Sequence, residues 1–452
     1  MKYLRKFDEI SEFVSATTED DIELPNVSLV YEDTIWNKEV YYSYLMTDIS
    51  NPEMMDIARN AGWVGPTDTA MTYAQAFAVT TEQFNNANVI RPDSSGPNGY
   101  VCTFKDIKHF DEFEYFTNVT ALTWTSNGDT ADTVYHGSFF NATKLETVKL
   151  PQTLRLTQRN TFMYCSSLEN VGMSKAIKQL GRNCFVYCGK LKHLELPEGL
   201  NVISESCFIY SGLGDTEPLM LPTSITYLGA TSCPIYWYRK FNETLDFPRI
   251  RYFGQENFIN QIGPRNLIMG GNLETLGVGD HEYTQHYNDV FWDTLESVTI
   301  SPDCENFKTI NNVVYTKDGV YCYGGADYGL SKQEVLELEE GTQKIVSGAF
   351  RTFFSYDDSA EACPWCHRED MILRRVIFPS TLVQIGYCCF QYSMPFEVVC
   401  KAVTPPKRLY GVFASGVGNI YVPDESVDAY KAAQYWSGNK NKIKPMSELP
   451  EL

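Results

Sequence analysis

Cys363-Pro-Trp-Cys366-His367 is the stretch of this 452-residue chain whose spacing comes nearest to metal chemistry. Two thiols in C-x-x-C form half of a zinc site. His281 and His286 supply the other half if the loops carrying them meet on one edge, because structural zinc needs four tetrahedral ligands. The string also reads as the C-x-x-C-H of haem attachment, but no distal ligand or pocket motif accompanies it. A local disulfide or two free loop thiols is the simpler reading, so neither metal nor cofactor is expected. The usual catalytic strings are missing. There is no G-x-x-x-x-G-K-[ST], no H-E-x-x-H and no G-x-S-x-G, and Gly277-Val-Gly279 lacks the third glycine of a dinucleotide loop. With six His, and 57 Asp and Glu from which no pair stands out, the chain reads as non-enzymatic.

A second set of candidates is aromatic. Tyr, Phe and Trp make up 14% of the chain, an excess that a core or a binding surface must absorb. They crowd into residues 234–292, where Tyr236, Trp237, Tyr238 and Trp292 are candidates for an exposed surface that stacks on sugars or anchors a protein.

What must position these side chains is a repeat. Phe139, Phe162, Phe185 and Phe208 recur every 23 residues. Leu145, Leu168 and Leu191 keep the step, as do Val148, Val171 and Leu194, and Leu154, Ile177 and Leu200. One unit reads L-x-x-V-x-L-P-x-x-L-x-x-I-x-x-x-x-F, and it returns at 295–302, 336–350 and 373–390. The first half predicts a short strand with one face buried, which proline ends because it has no N–H to donate. The second half, closing on Phe, covers the other side of the coil. One coil cannot bury its own core, but stacked coils share one. Residues 234–292 and 355–370 depart from the pattern and read as insertions.

The opening MKYLRKFDEISEFVS meets acids before any signal-peptide run forms, and no 18 apolar residues follow one another anywhere. Neither export signal nor membrane span is expected in the sequence as given. A formal charge of −20 disfavours nucleic acid as a partner. The 13 cysteines are scattered, several at recurring coil positions (Cys165, Cys184, Cys188, Cys207, Cys389), and read as reduced, buried thiols.

The repeat resembles the BspA-type leucine-rich repeat, over roughly residues 100 to 445. That resemblance implies an α+β repeat protein: a leucine-rich-repeat solenoid of 23-residue coils with a small helical N-terminal cap and a C-terminal capping helix. Proteins of this type are common on the surfaces of gut Bacteroidales and oral spirochaetes. Phe307 to Tyr321 resembles the extra hairpin of such arrays, with Asp318-Gly319 as its turn. Ile420 to Ala433 resembles their final strand and capping helix, with Ser426 or Asp424 as N-cap. Residues 54–63 and 72–86 resemble two helices found ahead of such arrays, joined by a loop similar to a degenerate calcium loop. Of its matching positions Val64, Pro66, Asp68 and Gln75, only Asp68 is a carboxylate, so the segment is read as a cap over the first coil.

Residues 1–45 resemble a leader on proteins of Bacteroidales phages and prophages. The leader implies a docking module, with Tyr3, Phe7, Phe13 and Val27 as its contact residues. The expected organisation is the docking module at 1–45, helical cap and lead-in at 46–115, solenoid at 116–423 and C-terminal cap at 424–452. The implied function is a phage virion component, attached to capsid or tail through residues 1–45 and displaying the repeat. Its partners would be other virion or surface proteins, further copies of itself, or a host-cell glycan or protein. The alternative is a bacterial cell-surface adhesin of the BspA type, binding host protein or glycan, with an export signal upstream of the given sequence.

Overall fold

In the coil that begins at Leu145, Val148 and Leu150 are buried and Lys149 between them is exposed, the alternation of a strand with one wet face. Thr147–Lys149 pairs in parallel with Asn170–Gly172 of the next coil. Pro151 ends the strand, buried Leu154 anchors the turn, and a second strand follows at Leu156–Thr157, parallel to Gln179–Leu180. This coil and the next thus each lay down two short parallel strands, where the sequence pattern predicts one, and the coil at Leu191 keeps only the second, Val202–Ile203.

The computed structural model describes residues 29–31, 34–36, 52–87, 91–92, 100–122, 137–233, 241, 243–257, 264–277, 290–292, 294–350, 370–390, 396–408, 411–413 and 416–451. Across them the coils form two ladders. One runs as three parallel sheets. The first holds His109–Phe110, Thr147–Lys149 and Asn170–Gly172. The second holds Thr244–Phe247, Asn266–Met269 and Ser297–Ile300. The third runs from Val335–Glu337 through Arg375–Phe378, Glu397–Cys400 and Ile420–Val422 to Ile443–Pro445. The other ladder is a seven-stranded parallel sheet of two-residue strands, from Ala121–Leu122 to Thr275–Leu276. It is resumed in a separate sheet by Tyr321–Gly325, Lys344–Ile345, Gln384–Ile385 and Lys407–Arg408. The register advances by 23 residues from Gln179 to Val202 and by 25 from Val202 to Tyr227, so the coils lengthen without leaving the ladder. Neighbouring coils come close enough that a Cβ on Gly229 would lie 2.5 Å from the Glu205 nitrogen, which only glycine avoids.

The Phe column forms a spine. Phe139, Phe162, Phe185 and Phe208 are fully buried and stack with ring centroids 5.1, 5.2 and 5.8 Å apart. The spine continues through Phe104, 5.1 Å from Phe139, to Phe84, 5.3 Å further on. Phe84 belongs to helix α3 (Thr81–Ala87), which follows α1 (Pro52–Asn60) and α2 (Tyr73–Ala78). The eleven described cysteines are all buried. Cys165 and Cys188 donate S–H to the carbonyls of Phe139 and Phe162, each at 3.1 Å, so these thiols serve the coil-to-coil packing.

Three local readings are adjusted. Residues 307–325 form a three-stranded antiparallel meander rather than a single hairpin: Phe307–Ile310, Val313–Thr316 and Tyr321–Gly325. Asp318-Gly319 does make a turn, with Gly319 at φ 80°, but Asn311 and Asn312 at φ 48° and 64° make another. Gln75, at the last position of the calcium-like loop, spends its side-chain oxygen on the Thr72 N–H at 2.7 Å, closing a capping box at the start of α2. Ser426 stands at the N-cap of the helix Val427–Ala432, as expected, but its side chain makes no capping hydrogen bond. The chain enters the helix through a 3-10 turn, the Ser426 hydroxyl donates instead to the Val403 carbonyl, and Asp424 accepts from the Ser447 N–H. No helix among the described residues is long and apolar enough to cross a membrane.

Candidate functional site

Phe162, Phe185 and Phe208 each sit between two left-handed backbone positions, and Phe139 is followed by one. Two residues before the first three stand Asn160, Asn183 and Ser206, at φ 61°, 56° and 58°. Two residues after Phe139, Phe162, Phe185 and Phe208 stand Asn141, Tyr164, Tyr187 and Tyr210, at φ 58°, 66°, 60° and 56°. The geometry lets Phe185 and Phe208 stay buried while Tyr187 and Tyr210, two residues on in the left-handed region, reach the solvent; Asn141 after Phe139 is itself buried. Asn and Gly enter that region readily, whereas a bulky residue there is an outlier. Three consecutive coils nevertheless place Tyr at the position where the first has Asn.

The three tyrosines form a ladder. Tyr164 and Tyr187 stack at 5.0 Å with planes 9° apart, and Tyr187 and Tyr210 at 4.6 Å and 14°. Phe140 meets Tyr164 edge-on at 5.9 Å. Tyr187 is 42% and Tyr210 37% exposed, so this column is wet where the Phe column is dry. Because the rings cover one another's faces, the ladder offers the solvent ring edges and a row of hydroxyls. Burial first, and then the neighbouring Tyr210 and Tyr164 hydroxyls, hold the Tyr187 phenol above its ordinary pKa, so it stays a neutral donor. A sugar face cannot lie flat on rings whose faces are already stacked. Edges and hydroxyls suit a polypeptide, which offers carbonyl acceptors and apolar side chains together.

The aromatic surface drawn from sequence lies elsewhere. Tyr236, Trp237 and Tyr238 fall outside the described residues. Trp292 is not on the surface: it is 1% exposed, and its indole N–H donates to the Pro264 carbonyl at 3.0 Å. It occupies the position of Cys165 in its own coil, three residues before the leucine that opens the next unit. The Leu295 N–H bonds to the Trp292 carbonyl as the Leu168 N–H bonds to that of Cys165. Val290 and Phe291 beside it are buried too, so the coil resumes before the expected end of the insertion. The zinc candidates Cys363, Cys366, His281 and His286 lie outside the described residues, as do the docking candidates Tyr3, Phe7, Phe13 and Val27. Among the described residues no three His, Cys, Asp or Glu converge as a metal set. The tyrosine ladder keeps the 23-residue step and is as visible in the sequence as the Phe column. What the sequence does not display is the left-handed turn that aims it outward.

Residues 111–232 match the model of the BspA type leucine rich repeat region, in six copies. No curated protein matches the chain. Solved structures of similar course include a leucine rich cell surface protein from Faecalibacterium prausnitzii, at 15% identity over 67% of this chain and 78% of that one, TM-score 0.45. Others are the pneumococcal vaccine antigen PcpA (12%, 68% and 67%, 0.34) and a leucine-rich repeat protein from Bacteroides ovatus (13%, 79% and 98%, 0.30). The matched span, residues 111–232, holds the stacked Phe139 to Phe208, the paired parallel strands and the tyrosine ladder, and it is there that this chain is similar to the BspA-type leucine-rich repeat.

Proposed function

We propose that this chain is a non-enzymatic interaction protein of a bacterial cell surface, and that the ladder Tyr164–Tyr187–Tyr210 binds a protein partner. The observation that carries the reading is the ladder itself: half-buried Tyr164 and exposed Tyr187 and Tyr210, all held in a backbone region that disfavours them. The repeat type supports the surface location, since BspA-type repeats resemble those of bacterial surface proteins. The virion reading rests on residues 1–45, of which only 29–31 and 34–36 are described, and it gains no support from the repeat. On the same reading the 23-residue coils form one solenoid at 116–423. Helices α1 to α3 cover its first coil, and Val427–Ala432 with the segment to residue 452 covers its last.

The test is binding of the labelled full chain to epithelial cells, compared with the triple variant Tyr164→Ser, Tyr187→Ser, Tyr210→Ser. A protein partner predicts loss of binding by the variant and after protease treatment of the cells, with retention after glycosidase treatment. Loss only after glycosidase would reject the protein partner. Immunolabelling of intact producing cells checks the location, and absence of signal on their surface would reject it.

A further inference from the structure

Residues 149–192 carry eight Lys and Arg against one carboxylate, Glu169, in a chain whose formal charge is −20. Lys149 and Lys190 are neutralised, by Glu114 at 3.5 Å and Glu169 at 3.3 Å. The cations around the two-residue strands are not. Arg155 and Lys178 stand at the same position in adjacent coils, one residue before Leu156–Thr157 and Gln179–Leu180, and the Lys178 N–H donates to the Arg155 carbonyl at 2.7 Å. Arg159 and Arg182 stand at the same position beyond the other end of those strands, where the Asn160 N–H donates to the Arg182 carbonyl at 2.8 Å. Arg155, Lys178 and Arg182 are exposed and Arg159 half-buried, and among the described residues none of the four forms an ion pair with a carboxylate.

The ladder is able to pair opposite charges at this position. Further along the Arg155 column, Arg251 meets Glu274 of the next coil at 2.6 Å. At the near end the same column sets a cationic residue beside another, their backbones one strand spacing of ~4.8 Å apart; the Lys178 ammonium reaches only a neutral group, the Gly199 carbonyl at 3.2 Å, and like charges at neighbouring positions cost stability until an anion joins them. We propose that the pairs Arg155–Lys178 and Arg159–Arg182 are a docking site for an acidic segment of a partner protein. The site is short: Lys178 is followed in its column by Asn201, and Arg182 by Glu205. A long polyanion such as nucleic acid would overrun it onto the acidic remainder of the chain. Leu156, half-buried and apolar, stands between Arg155 and Arg159 in the chain, which suits a segment mixing carboxylates with apolar residues. This inference does not depend on the tyrosine ladder.

The experiment is fluorescence anisotropy of the full chain with a labelled dodecapeptide of alternating Glu and Leu, its Gln counterpart, and a short DNA duplex. The acidic peptide is expected to bind, the Gln peptide not to bind, and rising salt to weaken the complex. The double variants Arg155→Gln/Lys178→Gln and Arg159→Gln/Arg182→Gln should each weaken it about tenfold, with melting temperatures equal to or above wild type. Lys407→Gln, exposed at the far end of the same ladder, should change nothing. Failure of the wild-type chain to bind the acidic peptide, equal binding by the double variants, or tighter binding of the duplex overturns the proposal.

Discussion

Tyr187 and Tyr210 stack at 4.6 Å while both hold the left-handed backbone, at φ 60° and 56°. The two facts oppose each other energetically. Stacking is worth ~0.5–1.5 kcal/mol, and the left-handed region costs a side-chain-bearing residue ~1–2 kcal/mol, so within the folded chain they nearly cancel. Stability alone does not account for tyrosine there.

Tyr187→Gly should therefore leave the unfolding free energy within ~1 kcal/mol of wild type, since glycine regains in backbone what the ladder loses in stacking. Urea titration measures this. A loss of several kcal/mol would make the ladder a structural device and remove the ground for a binding role.

Phe185, one spine position inward, behaves in the opposite way. It is fully buried between Phe162 and Phe208, and Phe185→Ala opens a cavity that the rigid coils on either side cannot collapse. The expected cost is ~3–5 kcal/mol, read from the same titration.

The contrast shows what the sequence displays and what it hides. The columns through Phe139, Leu145, Val148 and Leu154 are legible because burial demands apolar residues at a fixed step, and composition reveals burial. The second strand of each coil is not legible, because two residues such as Gln179 and Leu180 are too few to alternate visibly. The sequence points to residues 234–292, where the pattern breaks, as the binding surface. The exposed aromatics Tyr187 and Tyr210 lie instead inside regular coils, aimed outward by a backbone angle that no residue count reveals. Trp292 misled for the same reason: its size suggested a surface anchor, yet its place three residues before Leu295 assigns it to the core.

Trp292→Phe tests that assignment. The ring volume largely survives, but the buried Pro264 carbonyl loses its donor, a change expected to cost ~1–3 kcal/mol. A surface tryptophan would give a value near zero.

Burial pushes the thiols of Cys102 and Cys322 up to about 12, and that of Cys400 to about 11. Iodoacetamide at neutral pH should leave these three unmodified in the native chain and label all three in urea, by site-resolved mass spectrometry. Labelling of the native protein at these sites would show that the coils open readily.

Glu296 gives the fold a pH dependence with a definite sign. Its carboxylate accepts from the Arg265 guanidinium, the largest cause of its lowered pKa; burial opposes the shift, and the Lys332 ammonium at 2.8 Å adds to it. Together they hold the carboxyl at about 2, below the ordinary 4.5. Because the folded value is the lower one, the stabilisation is fully present above the ordinary value and is lost as pH falls from there towards the folded one. Glu296→Gln should cost ~1 kcal/mol at neutral pH, the scale of a partly exposed ion network. The difference from wild type should shrink as urea titrations are repeated at successively lower pH and should be mostly gone near pH 2. A difference that stays constant across that range would mean that Glu296 acts through packing, and that its charge contributes nothing to joining the coils at Arg265 and Lys332.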